Sequence, residues 1–275
     1  MEITSGMVKA LRDKTGLPMM ECKKALEECK GDEQQAVELL RKKGHAQLSK
    51  RAGRETAHGR VAYYADPASG RAALVEVLCE TEPVAGTADF LKLTEAAAQA
   101  AARLENPTAE AILAQPAPAA APRTVGDVLH DVVNRIRENI KLGRVGTAAG
   151  HVGHYLHHDL RKGVLVEFSG PCPAETAVDV CMHIVAMRPA CTRREEVDPA
   201  LVEQERRIAT EQVKGKPANI VDKIVTGKLN RWYSETVLLE QPFVKDDKQS
   251  VGQYLRAASP DLTVKRFVRI EIGEG

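Results

Sequence analysis

Apolar side chains recur every three to four residues at the start of the chain, then every second residue, and the two periods alternate to the end. Val8 and Leu11 mark the first helical face, with Thr4 and Ser5 as caps before it and Gly16 as its stop. Met19, Cys22, Leu26 and Cys29 share a second face, and Pro18 stands at a first helical position where its missing N–H costs nothing. Gly31 ends that helix. Asp32 and Gln35 have the spacing of a capping box ahead of a third helix over Ala36 to Gly44, with Lys42 and Lys43 at its negative end. Two consecutive helical residues cannot both face one core. At least one of Met19 and Met20 therefore points outward, where a flexible, polarisable side chain suits a protein contact.

A basic connector, Ser49 to Arg54, leads into period-two patterning. Val61 to Tyr64 and Ala72 to Leu78 read as strands joined around Asp66-Pro67 and Ser69-Gly70. Thr87 caps an Ala-rich helix over Ala88 to Leu104. Pro116, Pro118 and Pro122 mark a semi-rigid connector, and Thr124 with Asp127 opens a helix through Val128, Val132, Ile136 and Ile140. A second hairpin follows at a fixed offset: Tyr155 matches Tyr64, and Val164-Leu-Val-Glu-Phe168 matches Ala73-Leu-Val-Glu-Val77. A helix over Ala174 to Val185 completes it, so a duplicated hairpin-plus-helix unit is the economical interpretation. Leu201, Ile208, Ala209 and Val213 form one later stripe and Ile220, Ile224, Leu229 and Trp232 another, broken at Gly215-Lys216-Pro217. They predict an antiparallel helical hairpin. The last strand spans Leu262 to Ile272.

Composition narrows the function classes. The 275 residues carry 39 basic and 38 acidic side chains, a net charge of +1, and no face is dominated by cations. Aromatics are 4% of the chain, too few for a base-stacking surface, so no nucleic-acid partner is expected. No charged-then-apolar leader follows Met1 and no apolar run approaches the roughly 20 residues of a membrane span, so no membrane association is expected. Cys22, Cys29, Cys79, Cys172, Cys181 and Cys191 make no CxxC pair or zinc-like spacing and read as reduced thiols.

His151, His154, His157 and His158 invite a metal reading. On a strand His151 and His157 share a face that His154 does not, and no carboxylate pattern joins them, so hairpin-edge histidines are expected rather than a metal site. Cys181 and His183 point to different sides of a helix and lack a third orienting group, which argues against a nucleophilic pair.

The motifs along the chain, taken in order, carry a resemblance. They are Leu11-Arg-Asp-Lys-Thr-Gly-Leu-Pro-Met-Met-Glu-Cys-Lys-Lys-Ala-Leu26, Glu76-Val-Leu-Cys-Glu-Thr81 leading to Asp89-Phe90, and Glu138-Asn-Ile140. Tyr155-Leu-His157, Met182-His183-Ile184 with Pro189, Gly215-Lys-Pro217, Glu240-Gln-Pro-Phe243 and Phe267 to Gly275 follow. Each is weak alone, but their order and spacing resemble the translation elongation factor Ts family over essentially the whole chain. The resemblance implies an α+β fold: a UBA-like three-helix module over 1–54, then two duplicated antiparallel-sheet-plus-helix subdomains over 55–141 and 142–275. A helical hairpin is inserted at 192–234.

The function it implies is guanine-nucleotide exchange on elongation factor Tu, in the cytoplasm of a bacterium or the matrix of an organelle, without cofactor, metal or covalent chemistry of its own. The implied contacts with elongation factor Tu are Met19, Met20, His157 and the loop Thr81-Glu82-Pro83-Val84, with a homodimer through the helical hairpin as a further expectation. That loop stands where the family has Thr-Asp-Phe-Val, the segment that disturbs the nucleotide's Mg²⁺ and phosphate site. The acid is longer by one methylene, proline replaces the aromatic, and Gly86 replaces a residue that is often basic. Burying a Phe side chain contributes roughly 1.5–3 kcal/mol, so its loss weakens such a wedge by on the order of 10- to 100-fold. A proline-stiffened loop loses less entropy on docking, which works in the other direction. The alternative expectation is accordingly a protein that binds and holds elongation factor Tu with little or no exchange.

Overall fold

The computed structural model describes residues 2–118, 122–213 and 217–274. The first three helices are α1 (Ser5–Thr15), α2 (Met19–Glu28) and α3 (Glu33–Arg51). They enclose Leu11, Cys22, Ala25, Leu26, Ala36 and Leu40 in a small core of their own. Thr4 caps α1 by accepting from the Met7 N–H, and Gly16 ends it at φ 67°, where its N–H donates to the Arg12 carbonyl at 2.7 Å. A Cβ at Gly16 would also stand 2.5 Å from Arg135 Nε.

Asp32 caps α3 by accepting from the Gln35 N–H at 3.0 Å. The Gln35 amide donates to the Asp32 carboxylate instead of closing a full box. Pro18 precedes the helical residues of α2 instead of being the first of them. The third helix runs past Gly44 to Arg51 and takes in part of the expected connector. A single interior Gly costs only about 1 kcal/mol relative to Ala, too little to end a helix that is otherwise able to continue.

The next elements are β1 (His58–Asp66), β2 (Arg71–Cys79), the short α4 (Glu82–Ala85), α5 (Ala88–Ala102), α6 (Ala109–Leu113), α7 (Val125–Ile136) and β3 (Ile140–Ala149). The sheet order is β1-β2-β3. Being central, β2 is buried along nearly its whole length, so Glu76 lies inside the fold at 4% exposure. Arg144 answers it with its backbone N–H (2.9 Å), Nε (3.2 Å) and Nη2 (2.8 Å). Gly143 makes room for the pair, since a Cβ there would stand 2.3 Å from Glu76 Oε2. Phe90, Leu93 and Ala97 of α5 and Leu129, Val132 and Val133 of α7 fill the core over this sheet.

Thr124 and Asp127 form both halves of a capping box at the start of α7. The helix ends at Arg137, which adopts φ 68°, so Ile140 opens a strand and does not extend the helix as its spacing suggested.

The remaining elements are β4 (Val152–Leu156), β5 (Lys162–Phe168), α8 (Ala174–Met187), α9 (Pro199–Glu211), α10 (Ala218–Thr236), β6 (Pro242–Phe243), β7 (Asp246–Ser250), α11 (Val251–Ala258) and β8 (Val264–Glu271). A sheet ordered β4-β5-β8 and the small β6-β7 ladder belong to this part, with Val164, Val166, Phe168, Ile184, Leu238 and Leu255 in the core. The two hairpins share one register. Tyr64 lies opposite Ala73 and Tyr155 opposite Val164, both members of the pair displaced by 91 residues (155 − 64 and 164 − 73). Matching registers at one offset are what a duplicated unit requires.

The arm of α9 and α10 buries Ala209, Val213, Val225 and Leu229. Leu201, Ile208 and Ile220, expected in its stripes, are exposed, because a two-helix arm covers a single face of each helix. Gly215 and Lys216 lie outside the described residues. Among the described residues no helix is long and apolar enough to cross a membrane.

Contacts divide the chain into two compact units. One takes the residues up to Thr147, His158–Lys162 and the segment from Ile270; the other takes Ala148–His157 and Gly163–Arg269.

Candidate functional site

The loop after β2 is an exposed segment held by several hydrogen bonds. Thr81 is extended (φ −130°), and Glu82 begins α4, a single turn that Pro83 can enter because its missing N–H lies in the first turn. Ala85 is buried beneath it, while Pro83 faces outward. Gly86 donates its N–H to the Pro83 carbonyl at 3.3 Å, and the Thr87 hydroxyl donates to the Val84 carbonyl at 2.8 Å while capping α5. The tip is therefore a closed turn, and the two residues that lead into it, Thr81 and Glu82, are each anchored.

One anchor comes from the segment between α7 and β3. The Glu138 carboxylate accepts from the Glu80 N–H (3.1 Å), the Thr81 N–H (3.0 Å) and the Thr81 hydroxyl (2.6 Å). The Asn139 N–H donates to the Glu80 carboxylate at 2.6 Å, and the Asn139 side chain donates to the Arg54 carbonyl at 2.9 Å. That backbone bond, with help from Arg54, holds the Glu80 carboxyl below its ordinary range. Cys79, beneath the loop, donates its thiol to the Thr81 carbonyl; burial and the Glu138 charge push it up to about 12, so it stays a neutral thiol.

The other anchor holds Glu82. Its Oε1 accepts from Arg60 Nη2 at 2.7 Å, and its Oε2 lies 2.9 Å from Arg161 Nη1 and 3.2 Å from His58 Nδ1. The Arg60 bond, with the charges of Arg60 and Arg161, holds this carboxyl below the usual value. Both oxygens are thus engaged within the chain.

The methionine pair opens α2, and both side chains are exposed, Met19 at 47% and Met20 at 62%. The next residue, Glu21, forms an ion pair with Arg137, the residue before Glu138. Two successive contacts, Glu21 to Arg137 and Glu138 to Thr81, therefore tie the methionine-bearing helix start to the loop. His157 lies in the second unit, half-buried, with Nδ1 3.0 Å from the Tyr155 hydroxyl. Thr81, Glu82, Pro83 and Val84 share the loop, and Met19 and Met20 connect to it; His157 belongs to the other unit.

The residues that hold the loop, His58, Arg60, Glu138, Asn139 and Arg161, were not singled out as site residues in the sequence. Glu138 and Asn139 were visible as a motif, but nothing in the spacing of Arg60 and Arg161 points at Glu82. Among the described residues no three His, Cys, Asp or Glu side chains gather as a metal site. Cys181 and His183 are both buried, because α8 is covered on more than one side. The His183 ring spends both nitrogens on the protein: Nε2 lies 2.9 Å from the Gln241 side-chain oxygen and Nδ1 accepts from the Val244 N–H at 3.2 Å. Burial raises the Cys181 pKa, so neither group is set up for nucleophilic chemistry.

Known proteins place this chain in the class of translation factors. A family model described as "Elongation factor TS" matches residues 80–274. The elongation factor Ts of Methylococcus capsulatus is 44% identical over all of this chain and 94% of its own length, and that of Thioalkalivibrio sulfidiphilus is 41% identical with the same coverage. That of Aquifex aeolicus is 38% identical over 99% of each chain. The chain belongs to the elongation factor Ts family, whose part in protein synthesis is translation elongation.

Proposed function

We propose that this chain is the guanine-nucleotide exchange factor of a bacterial cytoplasm: it binds elongation factor Tu, presses the Thr81–Val84 turn toward the nucleotide site and promotes GDP release. The observation that supports this reading is the turn itself, an exposed Pro83 tip whose two preceding residues are fixed, Thr81 by Glu138 and Glu82 by the arginines. A nucleotide's phosphates are held by backbone N–H groups and a metal, so a rigid body that favours the emptied shape of that pocket is sufficient. Binding the nucleotide-free form more tightly must weaken GDP by the same factor. Met19 and Met20, on helices that are UBA-like in the family reading, supply a soft apolar grip, and His157 of the second unit adds a further contact.

The test is complex formation with elongation factor Tu stripped of nucleotide. The reading predicts a complex that survives gel filtration and is dissolved by excess GDP. A complex indifferent to GDP, or no complex, contradicts it.

A second reading has its own support, the proline in place of an aromatic side chain. A protein that holds elongation factor Tu without rapid exchange would bind both forms alike, and the same elution experiment separates the two. Self-association through α9 and α10 is proposed from the exposed Leu201, Ile208 and Ile220, and sedimentation velocity of the chain alone tests it.

A further inference from the structure

We infer that Arg60 and Arg161 are positioning residues for the exchange turn, acting through Glu82, and that the Glu82 carboxylate is an internal anchor and not a group delivered to the partner. The inference rests on the exchange reading above and assigns the parts within it.

Its first ground is occupancy. Glu82 Oε1 is taken by Arg60, and Oε2 by Arg161 and by the edge of His58. The side chain is 43% exposed, but swinging the carboxylate out of this position toward a partner would break two charge-assisted bonds, which are the strong class of hydrogen bond.

The second ground is how firmly the two guanidinium groups are themselves placed. Arg60 lies in β1, paired with β2 along its whole length, and its side chain is only 13% exposed. A second nitrogen of the same group, Nη1, donates to the Gly59 carbonyl at 2.8 Å. Arg161 hangs from a turn pinned on three sides: its N–H donates to Asp159 at 2.8 Å, its carbonyl accepts from Ile272 N–H at 2.9 Å, and the Leu160 carbonyl accepts from Val61 N–H at 2.6 Å. Leu160 adopts φ 57°, a conformation a leucine keeps only where its surroundings fix it. A planar guanidinium on such a support sets direction as well as charge.

The third ground is charge. Two arginines lie around the Glu82 carboxylate and offset its charge, so a bare acid is not what the partner meets there. What is presented is the Pro83 tip, its two preceding residues held by Glu138 at Thr81 and by the arginine pair at Glu82. Positioning of this kind matters because displacement of a contact group by about 1 Å can cost on the order of 100-fold in rate.

The experiment uses the full chain and elongation factor Tu loaded with a fluorescent GDP analogue. It follows stimulated release against chain concentration for Arg60→Met, Arg161→Met, Arg161→Lys, Glu82→Gln and the Arg161→Met/Glu82→Gln double variant. Amide hydrogen exchange across residues 84–87 is measured on each chain alone. The inference predicts a maximal release rate lowered by about 10-fold in Arg161→Met and in Arg60→Met, with half-saturation within about twofold of the parent. Arg161→Lys, which restores the charge but not the planar fork, should recover part of the rate, and the double variant should be no slower than Glu82→Gln alone. The amides of Ala85 and Gly86 should exchange several-fold faster in Arg161→Met.

Unchanged amide protection in both arginine variants would overturn the inference, as would a loss confined to half-saturation or additive losses in the double variant. Absence of stimulation by the unaltered chain would overturn the exchange reading instead, and amide protection would still decide whether the arginines hold the turn.

Discussion

Glu138 takes the Thr81 hydroxyl at 2.6 Å across 57 intervening sequence steps, while accepting the Thr81 N–H at 3.0 Å with its other oxygen. A carboxylate between α7 and β3 thereby sets the backbone of a loop that follows β2. This one pairing turns the loop from a flexible connection into a shaped feature. Glu138→Ala would leave the Glu80 and Thr81 N–H groups without their acceptor. Because Thr81 is exposed and water can replace the lost acceptor, the expected destabilisation is modest, about 1 kcal/mol, read from the urea midpoint. Cleavage within 81–86 by a non-specific protease should accelerate by more than the global change accounts for.

Pro83 occupies the outward tip of this turn. Pro83→Phe would add a large apolar side chain where no core has to accept it, so folding should be unaffected within about 0.5 kcal/mol. If the tip presses into an apolar pocket of elongation factor Tu, the gain is the burial of a Phe side chain, roughly 1.5–3 kcal/mol. Stopped-flow measurement should then show at least about 10-fold faster stimulated release at subsaturating concentration. No gain would mean that the partner surface is shaped around proline.

Met19→Ala with Met20→Ala should separate binding from folding. Both side chains are exposed, so thermal stability should change little. If they grip a partner, affinity for nucleotide-free elongation factor Tu should fall by about 10-fold or more, as measured by calorimetry.

How much of this was legible in the sequence can be judged from particular residues. Thr124 with Asp127, and Thr87 ahead of α5, were readable because a cap and its helix are neighbours in sequence. The equivalence of Tyr64 and Tyr155 was readable because a duplication preserves offset, and the two registers keep it. Ile140 misled because helical spacing alone cannot register that Arg137 turns left-handed. The hydrophobic stripes of the arm overcounted its core, because a pattern does not say how much surface a neighbour covers. The cage at Glu82 was invisible: Arg60 lies 22 residues away and Arg161 lies 79, and only the folded sheet and its neighbouring turn bring them to one carboxylate.

Gly143 provides a packing test. A methyl group there meets Glu76 Oε2 at 2.3 Å, and Glu76 has no room to retreat because Arg144 holds both of its oxygens. Gly143→Ala should cost about 1–3 kcal/mol or more in urea denaturation. Gly70→Ala, in open space at the β1–β2 turn, should cost only the strain of its positive φ.

His183 gives the chain a defined pH response. Burial holds its pKa below the ordinary value of 6.5, opposed in part by the Gln241 bond. The unfolded chain therefore binds the proton more readily, and this contribution to stability is complete above about pH 6.5 and is lost as pH falls toward the folded value. Protonation would also set an N–H against the Val244 N–H that Nδ1 now accepts. His183→Gln should lower stability at pH 7, yet flatten the decline between pH 6.5 and pH 5, as followed by denaturant titration at each pH. A decline as steep as that of the parent would place the pH response elsewhere.

The central claim is that a member of this family with Thr81-Glu82-Pro83-Val84 in the turn after β2, the proposed exchange loop, still promotes nucleotide release. Release of a fluorescent GDP analogue from elongation factor Tu, recorded with increasing amounts of the chain, tests it most directly. The account predicts a rate that rises and saturates, with the maximum well above spontaneous release. A rate unchanged at concentrations where the complex is fully formed would contradict it and leave a protein that binds elongation factor Tu without opening it.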